Sequence, residues 1–443
     1  MEINTPSETR INSDLIKQYG VEMHKLMQEL FPLCRSITGD GVRETLEIIN
    51  REIPLQVEEV ASGTKVFDWT IPKEWNIKDA YIKNSKGEKI VDFNKSNLHV
   101  LNYSSPIQKS VSLEELKEHL YTLKDHPDWI PYRTSYYNEK WGFCMSYNQF
   151  TSLKGDKYEV FIDSTLKDGS LTYGEYYIKG QNKEEVLIST HICHPSMCND
   201  NLSGIVLTVF LAKFLSQLSL KYSYRFLFIP GTIGSITWLS INEKNISNIK
   251  HGLVATCVGD TGKFTYKKTR RQNAEIDQIV PLVLKESGED FNIIDFFPYG
   301  YDERQYCSPG FNLPVGCLMR TPHGEFREYH TSGDNLKFVK AEALSTSLSM
   351  YIQVLNIIEN NKKYLNLNPK CEPQLGARGI YKHIEEHVDS KSFMLAIFWV
   401  LNQSDGTNSL LDISEKASLK FSIVCKAADV LLKSDLLKEL SKK

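Results

Sequence analysis

At 443 residues, with 41% hydrophobic and 24% charged side chains, the chain is an ordinary globular sequence too long for one core, so two or three domains are expected. A net charge of −3 excludes whole-chain attraction to nucleic acid or an anionic membrane, and 22 Tyr with 20 Phe exclude extended disorder. The polar start MEINTPSETRINSDLIK holds no signal-peptide core, no uncharged run reaches the roughly 18 residues of a spanning helix, and nine scattered cysteines without a CxxC pair suit reduced thiols, so a cytoplasmic protein is expected.

Residues 14 to 52 read as two helices. Leu15, Tyr19, Met23, Leu26, Met27 and Leu30 recur at spacings of three and four, and Val42 and Ile49 carry the second helix. Between them, Arg35-Ser-Ile-Thr-Gly39-Asp-Gly41 suits a helix cap with glycine punctuation, or a substrate loop. From about 55 to 175 short alternating runs such as Lys65–Thr70, Lys89–Phe93 and Leu98–Leu101 are separated by turn residues such as Asn84-Ser-Lys-Gly87, which predicts a separate β-rich segment. Ser112-Leu-Glu-Glu115 has the form of a capping box.

From 175 to about 365 apolar strands alternate with helices. Strands are predicted at Val186–Thr190, Tyr224–Ile229, Leu253–Val258 and Val315–Met319, and helices at Gly204–Leu215, Thr237–Glu243, Glu275–Glu286 and Ala341–Glu359. This alternation, with nearly all-apolar strands, points to an α/β sheet covered on both faces, where ligands sit at the carboxyl ends of the strands. After Pro369 several short helices with a polar break at 402–408 suit a winged-helix unit. Residues 370–443 hold 11 Lys+Arg against 10 Asp+Glu, too balanced for a DNA-reading face, so a protein-contact or dimerisation role is preferred there.

The chemistry is densest in His191-Ile-Cys-His194-Pro-Ser-Met-Cys-Asn-Asp200-Asn-Leu-Ser-Gly204, between a predicted strand and a predicted helix. A catalytic zinc wants three protein ligands, often His with Asp or Glu, plus an open position for a water whose pKa it lowers to about 7. Asp200 alone would suit an N-cap, but with His191 nearby the ligand role outweighs it. His194 also stands close enough to chelate or to support a ligand, while Cys193 and Cys198 are too few for a structural zinc and read as buried thiols.

Thr190-His191 after a strand, Asp200-Asn-Leu-Ser-Gly204 and Tyr329-His330-Thr-Ser-Gly-Asp334 resemble, in that order, the motifs of the M28-type zinc aminopeptidases. The resemblance implies a zinc-exopeptidase-like α/β/α sandwich with His191, Asp200 and His330 as metal ligands. Over nearly its full length the chain is similar to a bacterial aminopeptidase-like family of unknown function. That family has a β-rich domain inserted in the peptidase domain and a winged helix at the end. Arg35-Ser-Ile-Thr-Gly39, Pro230-Gly-Thr-Ile-Gly-Ser235 and Glu328-Tyr-His-Thr-Ser332 carry this likeness. The implied domains are a discontinuous catalytic domain at 1–55 and 175–367, a β-rich insert at 56–174 and a winged-helix-like domain at 368–443.

The chain departs from the peptidases in three respects. Their Glu-Glu pair, general base plus metal ligand, is replaced by Pro230-Gly231-Thr232, their first-motif aspartate by Cys193, and their later aspartate ligand falls near Cys257. One zinc is therefore expected, rather than two. Another carboxylate must take the proton, and Glu303, Glu328 and Asp260 are the candidates, Glu303 first, though each also suits a surface or cap position. Tyr266, Arg270, Arg304 and Arg320 are candidate anchors for an anionic substrate group, against a solvated charge run. The expected function is zinc-dependent hydrolysis of a small peptide or amide, with a homo-oligomer allowed and no membrane partner. The alternatives are a catalytically degenerate binding module and, less favoured, a DNA-linked metabolite sensor.

Overall fold

The computed structural model describes residues 13–385 and 389–440. The described residues form two compact units, one of residues 13–277 and 289–349 and one of residues 278–288 and 350–440.

An eight-stranded sheet organises the first unit. Its strands in chain order are β1 (Gln56–Ala61), β2 (Ser170–Ile178), β3 (Glu185–His191), β4 (Ser223–Ile229), β5 (Ile249–Ala255), β6 (Phe264–Lys267), β7 (Phe291–Ile294) and β8 (Val315–Met319). Their spatial order is β1-β2-β4-β3-β5-β8-β6-β7. β4, β3, β5 and β8 are parallel neighbours, with His191 in register with Ile229, so their carboxyl ends share one edge.

Both faces of this sheet are covered, which is why its central strands are mostly apolar. Every residue of β3 is buried. Leu187, Leu227, Ile229 and Val254 pack in one cluster with Ile233, Ile236 and Trp238 of helix α4 (Ile233–Asn242). By strand alternation Val186, Ile188, Phe226 and Phe228 face the other side. There helix α3 (Ser203–Leu215) packs on the strands, and helix α1 (Ser13–Leu30) packs on α3 with the Tyr19 and Phe210 rings 5.2 Å apart. Residues Cys198–Leu215 are long and apolar enough to cross a membrane, but 89% of that window is buried inside the protein, as suits a core helix.

The segment predicted as a β-rich insert behaves differently at its ends. Its first and last strands, β1 and β2, pair with each other and join the large sheet. The separate antiparallel sheet within it has the order 89–92, 74–83, 157–167, 107–112, around Ala80, Ile82, Val91, Val111, Val160 and Ile162. The predicted strand at Leu98–Leu101 is instead a short turn at Asn97–His99, fixed by the His99 ring bonding to the Cys144 carbonyl at 2.8 Å. Ser112 caps helix Leu113–Glu118 as expected, accepting from the Glu115 N–H.

The Arg35–Gly41 turn joins these parts. Gly39 has φ +97°, and a Cβ there would collide with the Trp75 carbonyl oxygen, so the turn admits only glycine. Just beyond, Arg43 of helix α2 (Asp40–Asn50) reaches both oxygens of Glu74, at 3.1 and 2.6 Å, and Glu59 at 2.7 Å. Hydrogen bonding from Arg43 holds the Glu74 carboxyl down to about 2, against a usual 4.5. The stabilisation is therefore complete above the unfolded value and is lost as pH falls through about 2. Acid unfolding monitored by circular dichroism is expected to lose less stability between these pH values in Glu74→Gln than in the parent chain.

In the second unit, helices Ser390–Gln403, Leu410–Ala417 and Phe421–Lys433 accompany a three-stranded antiparallel sheet in the order 405–409, 363–366, 437–439. Its central strand starts at Lys363, so this unit begins before the expected boundary at 368.

Candidate metal centre

β3 delivers His191 to the shared strand edge, where the side chain is 1% exposed. The chain then loops back to Asp200, which is fully buried. Asp334 fixes that loop, its two carboxylate oxygens accepting the backbone N–H groups of Asn199 at 2.6 Å and Asp200 at 2.9 Å. Asn201 donates to the Thr190 hydroxyl, and Ser203 to the Asn199 carbonyl, which seats the loop against β3 and the start of α3.

Three imidazoles converge on Asp200. Oδ1 accepts from His191 Nε2 at 2.9 Å, Oδ2 accepts from His330 Nε2 at 3.0 Å, and His194 Nε2 stands 4.0 Å from Oδ2. The donor atoms of His191, His194 and Asp200 all lie within 4.8 Å of one another. The His194 and His330 side chains keep 17% and 27% exposure, so the site opens on their side. Burial opposes ionisation of Asp200, but His194, His191 and His330 outweigh it and hold the carboxyl well below its usual range. Burial lowers His194 to about 3, so it is a neutral imidazole with a lone pair to offer.

Aromatic rings hold the imidazoles in place. Tyr301 stacks on His191 at 4.9 Å, and Tyr329 stacks on His330 at 3.9 Å. Tyr132, from the segment read as an insert, turns its ring edge to His194 and His330 at 5.2 and 5.1 Å. The same strap is bonded to the His330 loop along the backbone: Tyr132 N–H donates to the His330 carbonyl, and Ser332 N–H to that of Ile130, both at 2.8 Å. Arg35, fully buried, donates to the His194 carbonyl at 2.8 Å, which gives the Arg-Ser-x-Thr-Gly turn a structural role beside the site.

The structure brings His191, Asp200 and His330 together; the other predicted residues differ in where they sit. Asp260 is buried with every oxygen engaged, by Asn199, Gly262, and the Thr321 hydroxyl and N–H, so it pins loops and has no lone pair to spare for a water. Tyr266 corrects the expectation of a substrate contact. The basic cluster it opens is partly strand β6, so its ring is buried and its hydroxyl donates to Asp277 at 2.9 Å. Arg320 is likewise buried, donating to the Gly262 carbonyl and the Ser347 hydroxyl. Arg270 and Arg304 are partly buried, the latter 5.7 Å from the Tyr299 ring centre. Glu328 is partly exposed two residues before His330.

Glu303 is buried in an ion pair with Lys267 at 2.8 Å. Removing one partner of such a pair strands a buried charge, so Glu303→Gln is expected to cost about 3–5 kcal/mol of stability, read by denaturant titration. The neighbouring Asp302 is placed otherwise. It is fully buried, Oδ1 accepts from the Ser235 hydroxyl at 2.7 Å, and Oδ2 has no protein partner. A Cβ on Gly231 would lie 3.3 Å from that free oxygen and 3.1 Å from His191 Cβ. Asp302 thus fills space beside Gly231 and His191. Burial raises its carboxyl to about 6. The cysteines nearby are thiols rather than thiolates: burial lifts Cys193 to about 12 and Cys257 well above its usual value.

Sequence alone passed over Tyr132, Tyr301 and Asp302. Asp302 sat beside a more conspicuous glutamate, and nothing in the spacing signals that residues 130–132 cross to residues 330–332.

Three comparisons bear on this geometry. Residues 24–361 match a family described as a domain of unknown function (DUF4910), and residues 362–439 match a winged helix-turn-helix. A Clostridium acetobutylicum protein, named "Putative polysaccharide biosynthesis protein with aminopeptidase-like domain", is 59% identical over 95% of this chain and 96% of its own. A crystal structure of a "putative peptidase" from the same organism superposes with a TM-score of 0.94, at 56% identity, over 98% of this chain and all of that one. The zinc aminopeptidase BSAP of Bacillus subtilis superposes at 0.56 with 11% identity, over 76% of this chain and 94% of its own, and shares the fold. An M28 peptidase precursor of Shewanella amazonensis does so at 0.54 with 13% identity, over 79% and 97%. With its aminopeptidase-like α/β fold and its winged-helix end, the chain belongs to the DUF4910 family.

Proposed function

We propose that the protein is a zinc-dependent hydrolase of amide bonds, with one ion held by His191, Asp200 and His330. The carrying observation is the convergence of the His191 and His330 imidazoles on one buried, ionised carboxylate. Nitrogen and oxygen donors of this kind fit zinc, and Asp200 is ionised as binding needs. Zinc would supply Lewis-acid polarisation of the scissile carbonyl and a lowered pKa for water. Asp302 Oδ2 accepts the proton from the attacking water and returns it to the leaving nitrogen, with Ser235 holding Oδ1. His194, uncharged and on the open side, orients the substrate carbonyl. Tyr132 positions His194 and His330. Tyr132→Ala is therefore expected to weaken zinc binding about 10–100-fold, measured by competition with a chelating dye.

Amide hydrolysis by the zinc-loaded chain, abolished in His191→Ala, would support this proposal; zinc binding without turnover on peptide, amide and acylated-sugar substrates would refute it. A second reading has one observation in its favour. His194 is a fourth donor, and four protein ligands close a tetrahedral zinc as in structural sites. The protein would then bind a ligand or partner without turnover.

A further inference from the structure

Two walls of ring contacts lead outward from the centre to exposed aromatic side chains. On one, Tyr137 follows Tyr136, whose hydroxyl bonds that of Tyr132 at 2.9 Å, and Trp69 lies 5.6 Å from Tyr137. Trp69 and Tyr137 are 45% and 49% exposed. On the other, Tyr299 is 65% exposed and lies 5.7 Å from His323, which is 5.1 Å from the Tyr301 ring that stacks on His191.

Phe67, in the turn of the Trp69 hairpin, and Tyr137 sit in left-handed backbone conformations, at φ +54° and +64°. Bulky side chains rarely adopt this region, and it costs free energy to hold them there with their rings in water. A surface with only a structural task has no reason to pay both penalties. The insert-side wall holds Lys73 paired with Glu139 at 3.1 Å. Its exposed apolar residues are aromatic rather than aliphatic, which disfavours a lipid chain. Flat faces with a negative quadrupole suit the polarised C–H groups of a sugar ring, and tyrosine and tryptophan add polar edges for its hydroxyls.

We propose that these walls form a carbohydrate subsite, and that the substrate is an N-acylated amino sugar or an oligomer of it. The subsite stands on this geometry; the N-acyl group rests on the hydrolase proposed above, because it is the amide such a sugar carries. In the reaction water adds its oxygen to the acyl carbon, the C–N bond breaks, and the water's protons pass to the departing nitrogen and to solvent. The products are a free amino sugar and a carboxylate.

The test uses the full-length zinc-loaded chain and N-acetylated chito-oligosaccharides as the probe. Binding is followed by calorimetry and acetate release by an enzymatic assay. Trp69→Ala and Tyr137→Ala are compared with Tyr381→Ala, an exposed ring of the other unit, and thermal melts verify that each variant is folded. The expected result is saccharide binding that weakens at least tenfold in the first two variants and is unchanged in the third. No saccharide binding, or equal binding in all variants, overturns the subsite, even if peptide amides are cleaved and the hydrolase stands. Saccharide binding lost in Trp69→Ala but without acetate release upholds the subsite and overturns its N-acyl assignment.

Discussion

Replacing Asp302 with Asn is expected to lower kcat on an amide substrate by about 10²–10⁴-fold, the range for loss of a general acid–base group. The change preserves shape and can keep the Ser235 contact, so zinc content and thermal stability are expected to remain near those of the parent. Glu303→Gln provides the contrast. Its Oε1 is paired with the buried Lys267, so that variant should lose stability first and show its kinetic loss through a reduced folded fraction. If Asp302→Asn keeps full kcat while a folded Glu303→Gln loses it, the proton acceptor has been misassigned. Asp302 and Glu303 both combine burial with one held and one free oxygen, unlike Asp260, and Asp302 is preferred because its held oxygen accepts from a neutral hydroxyl rather than from a lysine ammonium.

Asp200→Ala is expected to have the broader effect. The buried carboxylate is the hub to which His191 and His330 both donate. Without it, those two imidazoles lose their acceptor, and bound zinc should fall to background by metal analysis of dialysed protein. In the parent chain, free zinc at a hundred times its Kd should stabilise the native state by about 2.7 kcal/mol. No such gain is expected in Asp200→Ala. An equal zinc-induced stabilisation in the two proteins would mean that the ion sits elsewhere.

Much of the architecture was legible in the residues. β3, β4 and β8 announce themselves because strands covered on both faces are apolar at most positions, and α1 shows its buried stripe at helical spacing. β6 was hidden because Tyr266, Lys267 and Lys268 look like a charged surface run. Lys267 is nonetheless buried, which the sequence could not reveal without its distant partner Glu303. β1 and β2 were assigned to the insert because edge strands with mixed burial alternate like strands of a separate small sheet.

The site divides in the same way. His191, Asp200 and His330 could be named because each follows a local landmark: a strand end, a turn before a helix, a loop before a second carboxylate. Tyr132 and Asp302 act through contacts with residues far away in the chain, and one-dimensional spacing carries no trace of those. Tyr266 misled for the opposite reason, since a tyrosine beside lysines and arginines resembles a ligand contact until its hydroxyl is found bonded to Asp277.

The most direct test is an anomalous-scattering map, collected at the zinc edge from crystals of the zinc-loaded chain. A single strong peak about 2.0–2.2 Å from an Asp200 oxygen and from Nε2 of His191 and His330 is predicted. A map with no ion there, and with the imidazoles still bonded only to Asp200, would contradict the proposed metal centre and the hydrolysis built on it.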